Sequence, residues 1–298
     1  MQTIDPEPIA SKYVDEAAAG LQRLGEAPRV RGLVAGRDKP SIAYAKATKK
    51  TFKAAGFDYE LCEVARLELE AAIREGNEDT TIHGLFIYFP VFHNRQDDYL
   101  RNLVHYTKDI EAGSQYWTRK LYENDRQATE GDRRKKALLP CTPLAIVKIL
   151  TELGEYGGRE TSKPLSGKQV ALFNRSEVVG RPLAMMMSND GAMVYSFDEH
   201  GPLRFQDAQA SETDMDRKQA LANADFVITG VPGNDFDKVR SEEIKPDAVC
   251  VNFSSSENFA PGVEDSARIF VPRVGPMTVA MCMRNALRLY ENFHVEAK

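Results

Sequence analysis

The turn Asn174-Arg175-Ser176-Glu177-Val178-Val179-Gly180 follows an apolar run, Val170 to Phe173, and precedes a helical pattern from about Arg181 to Ser188. Strand, tight turn and helix N-terminus in that order can seat a dinucleotide pyrophosphate, because turn amides and the helix dipole both favour phosphate. Asp198-Glu199 closes the next strand, Ala192 to Phe197. An acid at that position accepts hydrogen bonds from the adenosine ribose hydroxyls. A 2′-phosphate would meet two carboxylates there, which favours NAD over NADP. Arg175 pulls the other way, since a guanidinium beside the turn can hold a 2′-phosphate. The glycine fingerprint is absent: Asn174 stands in the first glycine position and only Gly180 is kept. Taken alone, the segment is equally an ordinary α/β turn. Thr229-Gly230-Val231-Pro232 ends a later strand on the edge of the sheet where cofactors bind. The candidate NAD-binding residues are therefore Asn174, Arg175, Ser176, Val179, Gly180, Asp198, Glu199, Thr229, Gly230 and Val231.

A turn of this kind must be carried by a parallel sheet, and the remaining patterns supply one. Ile9 to Leu24 has apolar residues at helical spacing. Val30 to Ala35 reads as a strand with a turn at Gly36-Arg37-Asp38, Ser41 to Ala55 as a helix, and Phe57 to Val64 as a strand. Leu67 to Glu75 reads as a helix, Gly84 to Phe89 as a strand and Leu144 to Leu153 as a helix. Phe226 to Ile228, Ala248 to Phe253 and Ile269 to Val271 are further strands, and a last helix runs from Thr278 to about Phe293. Strands alternating with helices imply doubly wound parallel sheets. Asn124 to Lys136 is highly charged and is expected to be a solvated loop. Gly154 to Gly167 is expected to cross between domains. The fold class is α/β: two α/β domains around a cleft, about 1–150 and 151–278, the second Rossmann-like, with helix 279–298 packing back on the first.

Composition narrows the function. The 298 residues carry a net charge of −5, and 28% are charged with both signs mixed, which argues against a nucleic-acid footprint. Cys62, Cys141, Cys250 and Cys282 follow no CxxC spacing, and the five histidines form no ligand pattern, so no metal site is expected. No apolar run reaches membrane-spanning length, and Met1 to Pro8 lacks the features of a signal peptide. The expected location is the cytosol.

Six segments in order resemble the methylenetetrahydrofolate dehydrogenase/cyclohydrolase family, over nearly the whole chain. Ser41-Ile42-Ala43-Tyr44 with Gly56-Phe57 is similar to its SxxY…G segment, Gly84 to Pro90 to its GxxVQLP strand, and Lys108-Asp109-Ile110-Glu111 to KDVD. Pro140-Cys141-Thr142-Pro143 matches PCTP, Asn174 to Pro182 resembles GRSxIVGxP, and Val274-Gly275-Pro276-Met277-Thr278 matches VGPMT. The departures are equally specific. Thr48 replaces the lysine of YxxxK, Tyr88 the strand glutamine, Glu111 the second aspartate of KDVD, and Pro272-Arg273 a pair of glycines. These departures are similar to those of the monofunctional, NAD-dependent branch of the family.

The resemblance implies a hydride leaving the methylene bridge of 5,10-methylenetetrahydrofolate for C4 of nicotinamide. No proton is abstracted, so the protein mainly holds two flat rings face to face. Hydration of the methenyl product differs, because protons must move and a lysine of tuned pKa suits that work. Thr48 has no such basicity, and none of Lys46, Lys49 and Lys50 shares its direction on a helix. The product is therefore expected to leave unhydrolysed.

The resemblance makes Tyr44 a stacking surface for the pterin and Tyr88 a second wall. It makes Glu111 an acceptor for the pterin amino group and ring NH, and Pro272 a substrate-side contact. Cys141 is a candidate contact to nicotinamide or substrate, with a buried packing role as the alternative. Cys141, Tyr44, Thr48 and Tyr88 form the candidate catalytic set. Homodimers among the relatives imply a dimer, with no membrane or nucleic-acid partner. The alternatives are a bifunctional NADP-dependent enzyme, a non-catalytic NAD-binding regulator, and a Rossmann dehydrogenase acting on a small acid. The last would need a Lys/Asp or His/Arg pair that cannot be assigned.

Overall fold

In the computed structural model, which describes residues 1–36, 39–157 and 162–295, the chain forms two units. One is Met1–Ile9 with Thr142–Thr278 and the other is Ala10–Cys141 with Val279–Lys298. The turn expected at Gly36-Arg37-Asp38 and the crossing at Gly154 to Gly167 lie partly outside the described residues. Strand β1 (Gln2–Thr3) opens the chain, and α1 (Glu7–Leu24) follows. Then come β2 (Arg29–Ala35), α2 (Lys39–Ala54), β3 (Asp58–Val64), α3 (Leu69–Glu78) and β4 (Gly84–Ile87). The three strands pair in parallel in the order β3-β2-β4. Their core gathers Leu33, Leu69, Ile73, Ile82, Leu85 and Leu100, all buried.

Helix α2 shows how local pattern positions function. Ala45, Thr48 and Phe52 face inward and are buried, the i, i+3, i+7 stripe of an amphipathic helix. Burying Phe52 alone contributes roughly 2 kcal/mol. Tyr44 sits at the boundary of that stripe and stays 40% exposed.

After α4 (Arg95–Leu103) and α5 (Gln115–Tyr122), the charged segment expected as a loop forms an antiparallel hairpin, β5 (Gln127–Thr129) with β6 (Asp132–Lys136). Ladder hydrogen bonds are backbone bonds, so polar side chains do not prevent pairing. One small residue, the fully buried Ala128, anchors the ribbon, and its carbonyl accepts a hydrogen bond from the Tyr116 hydroxyl.

The second sheet follows α6 (Cys141–Glu152). It contains β7 (Gln169–Phe173), β8 (Met193–Asp198), β9 (Gly201–Gln206), β10 (Gln209–Glu212), β11 (Phe226–Thr229), β12 (Val249–Asn252) and β13 (Ile269–Val271). Helices α7 (Gly180–Asn189) and α8 (Arg217–Asn223) belong to it, and α9 (Gly275–Phe293) closes the chain, starting three residues before the expected Thr278. The strand order is β1-β13-β12-β11-β7-β8-β9-β10. From β1 to β8 every pairing is parallel, as expected, but β8-β9-β10 is an antiparallel meander. Two-residue loops permit that reversal, and residues 199–200 supply the first, between the paired Asp198 and Gly201. The chain leaves β7 in one direction to β8 and returns to β11 on its other side. The crevice at the carboxyl ends of β7 and β11 is thus a topological switch point, where open α/β sheets bind ligands. No described helix is long and apolar enough to cross a membrane.

Candidate active site

At the switch point the loops after β7 and β11 are tied together by side chains. Asn174 donates from Nδ2 to the Gly230 carbonyl at 2.7 Å, and its Oδ1 accepts from the Ser176 amide at 2.8 Å. Asn174 has φ 150°, a backbone setting that favours glycine. These two hydrogen bonds offset that cost. Ser176 Oγ accepts from the Val179 and Gly180 amides at 3.3 and 3.4 Å. Both bonds are long, so the hydroxyl holds these two amides only weakly. A Cβ on Gly180 would overlap the Asn174 carbonyl, and one on Gly230 would overlap the Phe253 ring. Gly180 therefore lets backbone approach backbone closely, and Gly230 lets the Phe253 ring lie against the backbone.

The acidic pair divides. Asp198 is bound by Arg175, whereas Glu199 lies on the hairpin tip with its side chain 86% exposed. Thr229 is fully buried at the end of β11. Val231 is clamped by a residue that the sequence reading missed. The buried Asn258 accepts from its amide at 2.8 Å and donates to its carbonyl at 2.9 Å, and Ser254 Oγ adds a third bond at 3.0 Å. The polar run Asn252 to Asn258 after a central strand was the available signal. Pro272 follows β13 in this same unit and lines a pocket of about 370 Å³ with Asn252, Asn258 and Phe270.

In the other unit, Tyr44, Thr48, Tyr88 and Glu111 come together. The Tyr44 ring meets the Tyr88 ring edge-on, with centroids 5.9 Å apart at 86°. The buried Tyr88 shares a hydrogen bond of 2.7 Å with Tyr59, also missed from sequence. Burial holds the Tyr88 phenol above its ordinary pKa, with Tyr59 and Thr48 hydrogen bonds pulling it down. Thr48 donates to the Tyr44 carbonyl at 2.9 Å and is 1% exposed. No amine occupies that position, and Lys46 and Lys50 on the same helix are exposed.

The segment 108–111 splits its labour. Lys108 Nζ donates to the carbonyls of Gly76, Asn77 and Asp79 at 2.8–2.9 Å. It thereby caps the C-terminus of α3, where orphan carbonyls favour a cation. Asp109 is buried and accepts from the Ser114 amide at 2.7 Å. That leaves the charge of Glu111 to raise the phenols of Tyr44 and Tyr88, behind the larger effect of their burial. Burial first, and the Asp109 carboxyl second, push the Glu111 carboxyl up to about 8. A carboxyl poised near neutrality is characteristic of functional sites.

Cys141 is enclosed by protein at the start of α6. It is buried, donates to the Ile110 carbonyl at 3.4 Å and accepts from Asn285 Nδ2 at 3.3 Å. Burial raises its thiol well above the usual range, which disfavours the thiolate form. Asn285 also donates to the carbonyls of Ile110 and Leu139, both at 2.9 Å, and so ties the Glu111 segment to α9.

Residues 4–111 match the family model described as tetrahydrofolate dehydrogenase/cyclohydrolase, catalytic domain, and residues 140–294 match its NAD(P)-binding domain. A Dictyostelium discoideum protein named methylenetetrahydrofolate dehydrogenase [NAD(+)] is 38% identical over 296 residues, covering 97% of this chain and 94% of the relative. A Saccharomyces cerevisiae protein of the same name is 40% identical over 283 residues, covering 90% of this chain and 88% of the relative. The solved structure of the NAD-dependent 5,10-methylenetetrahydrofolate dehydrogenase from Saccharomyces cerevisiae superposes with a TM-score of 0.93 at 36% identity, covering 100% of this chain and 99% of that one.

Proposed function

Because the chain belongs to the tetrahydrofolate dehydrogenase/cyclohydrolase family, we propose that it oxidises 5,10-methylenetetrahydrofolate to the methenyl form with NAD and releases that product unhydrolysed. NAD, when bound, supplies the hydride acceptor. Its adenosine ribose is read by Asp198 and its pyrophosphate by the turn Asn174 to Gly180 at the start of α7. Gly180 and Gly230 fit that role, since each stands where a methyl group would close the approach.

Folate is assigned to the unit carrying Tyr44. Its exposed ring offers a flat surface, Tyr88 and Tyr59 brace it, and Glu111 accepts from the pterin amino group and ring NH. Holding the rings is sufficient for hydride transfer, and no general base is required. The single observation that carries the reading is Thr48. Where hydration would need a basic amine, a buried hydroxyl is tied to the Tyr44 carbonyl. The assignment of folate to the first domain and NAD to the second, the homodimeric state and the cytosolic location belong to this reading. The four free cysteines fit a reducing compartment.

The test is steady-state turnover of methylenetetrahydrofolate with each dinucleotide. The expected result is kcat/KM at least about tenfold higher with NAD, the effect of roughly 1.4 kcal/mol. Equal or better use of NADP would overturn it.

A further inference from the structure

Arg175 has five N–H donors, and four of its donor contacts are visible. Nε and Nη2 grip both oxygens of Asp198, the former at 2.9 Å. Nη1 donates to the Ser196 carbonyl at 3.1 Å and Nη2 to the Gly201 carbonyl at 2.8 Å. The guanidinium side chain is 5% exposed and that of Asp198 23%. The Gly201 carbonyl comes from β9, so the antiparallel reversal after β8 supplies one side of the cage. The His200 amide adds a hydrogen bond to Asp198 at 2.8 Å, fixing the carboxylate in the hairpin.

We propose that this latch, and not the charge of Asp198 alone, sets the choice of NAD over NADP. The inference rests on the dehydrogenase reading and identifies its specificity device. Arg175 is the cation at the turn best suited to a 2′-phosphate, and the hairpin has removed it from use. A carboxylate has about four lone-pair positions, so Asp198 still accepts from a ribose hydroxyl while holding Arg175. A 2′-phosphate would have to break a bidentate ion pair and face an anion at the same time. Simple repulsion predicts that removing Asp198 admits NADP whatever Arg175 does. The latch predicts that the gain requires Arg175.

The experiment compares Asp198→Ser with Asp198→Ser/Arg175→Ala in the full chain. Turnover with each dinucleotide is measured, together with calorimetric binding of adenosine 2′,5′-bisphosphate and of adenosine 5′-monophosphate. For Asp198→Ser, NADP kcat/KM and bisphosphate affinity should rise roughly 10- to 100-fold, the range of a charge-assisted contact. The double variant should lose that gain. Asp198→Asn, which keeps the shape of the turn and a single acceptor, should fall between wild type and Asp198→Ser, and it carries the test if Asp198→Ser does not fold. A gain that persists without Arg175 overturns the latch. So does the absence of a gain in either single variant that still binds adenosine 5′-monophosphate. Failure of wild-type protein to bind either nucleotide would instead sink the underlying dehydrogenase reading.

Discussion

Gly180→Ala should weaken NAD binding and lower kcat/KM for NAD by roughly 10- to 100-fold, the cost of forcing about 1–3 kcal/mol of overpacking into a tight site. An added Cβ at this position meets the carbonyl oxygen and carbon of Asn174, and both atoms are backbone. A side chain could rotate away, but this loop cannot. Asn174 is already held at φ 150° by its bonds to Gly230 and to the Ser176 amide. Either the turn opens or the start of α7 recoils, and in both cases the amides move off the pyrophosphate. Gly230→Ala should be milder, because the atoms it meets belong to the Phe253 ring, which can swing. Calorimetric titration with NAD, beside a thermal melt, separates lost binding from lost folding. Wild-type affinity in Gly180→Ala would refute the placement of the cofactor.

Glu111→Gln should cut kcat/KM for methylenetetrahydrofolate by about 100-fold, the usual cost of leaving buried donors without their charged acceptor, and should make the protein more stable. The two effects share one cause. Desolvation and the Asp109 carboxyl raise the Glu111 pKa from 4.5 to about 8, so the folded chain binds this proton more tightly than the unfolded one. Stability from the neutral form is complete below about 4.5 and is lost as pH rises through about 8. Glutamine never charges, so its advantage should grow across that window, reaching on the order of 1 kcal/mol after solvent screening.

Substrate follows the opposite sign, because pterin donors need the carboxylate. KM for folate in the wild type should fall about tenfold per pH unit as pH rises towards 8, while Glu111→Gln should show a flat profile. A wild-type KM that ignores pH, or a variant with unchanged kcat/KM, would remove Glu111 from the site.

Much of this was legible in the sequence where local pattern and tertiary demand coincide. The α2 stripe of Ala45, Thr48 and Phe52 follows helical spacing, and β7, the turn to Gly180 and α7 read directly from Val170 onward. The charged hairpin at 127–136 escaped because its strands carry almost no buried side chain. The meander through β9 and the edge strand β10 escaped for a related reason: both are largely polar or half-exposed and lack clear alternation. Site partners were lost where contact is distant in sequence. Tyr59 reaches Tyr88 across 29 residues and Asn285 reaches Ile110 across 175, and no spacing rule spans such gaps. The sequence offers Arg175 as a cation able to hold a 2′-phosphate, because its neighbours are legible there and its partner is not. The fold pairs it with Asp198, at the end of the adjacent strand.

The most direct measurement follows dinucleotide reduction and methenyltetrahydrofolate together, by absorbance, in one reaction started with methylenetetrahydrofolate and NAD. With a threonine hydroxyl in place of a lysine at position 48, the two products should accumulate in equal amounts, and the methenyl signal should then decay at the rate seen in buffer alone. Reduced dinucleotide without matching methenyl product, or decay accelerated in proportion to enzyme, would contradict the account.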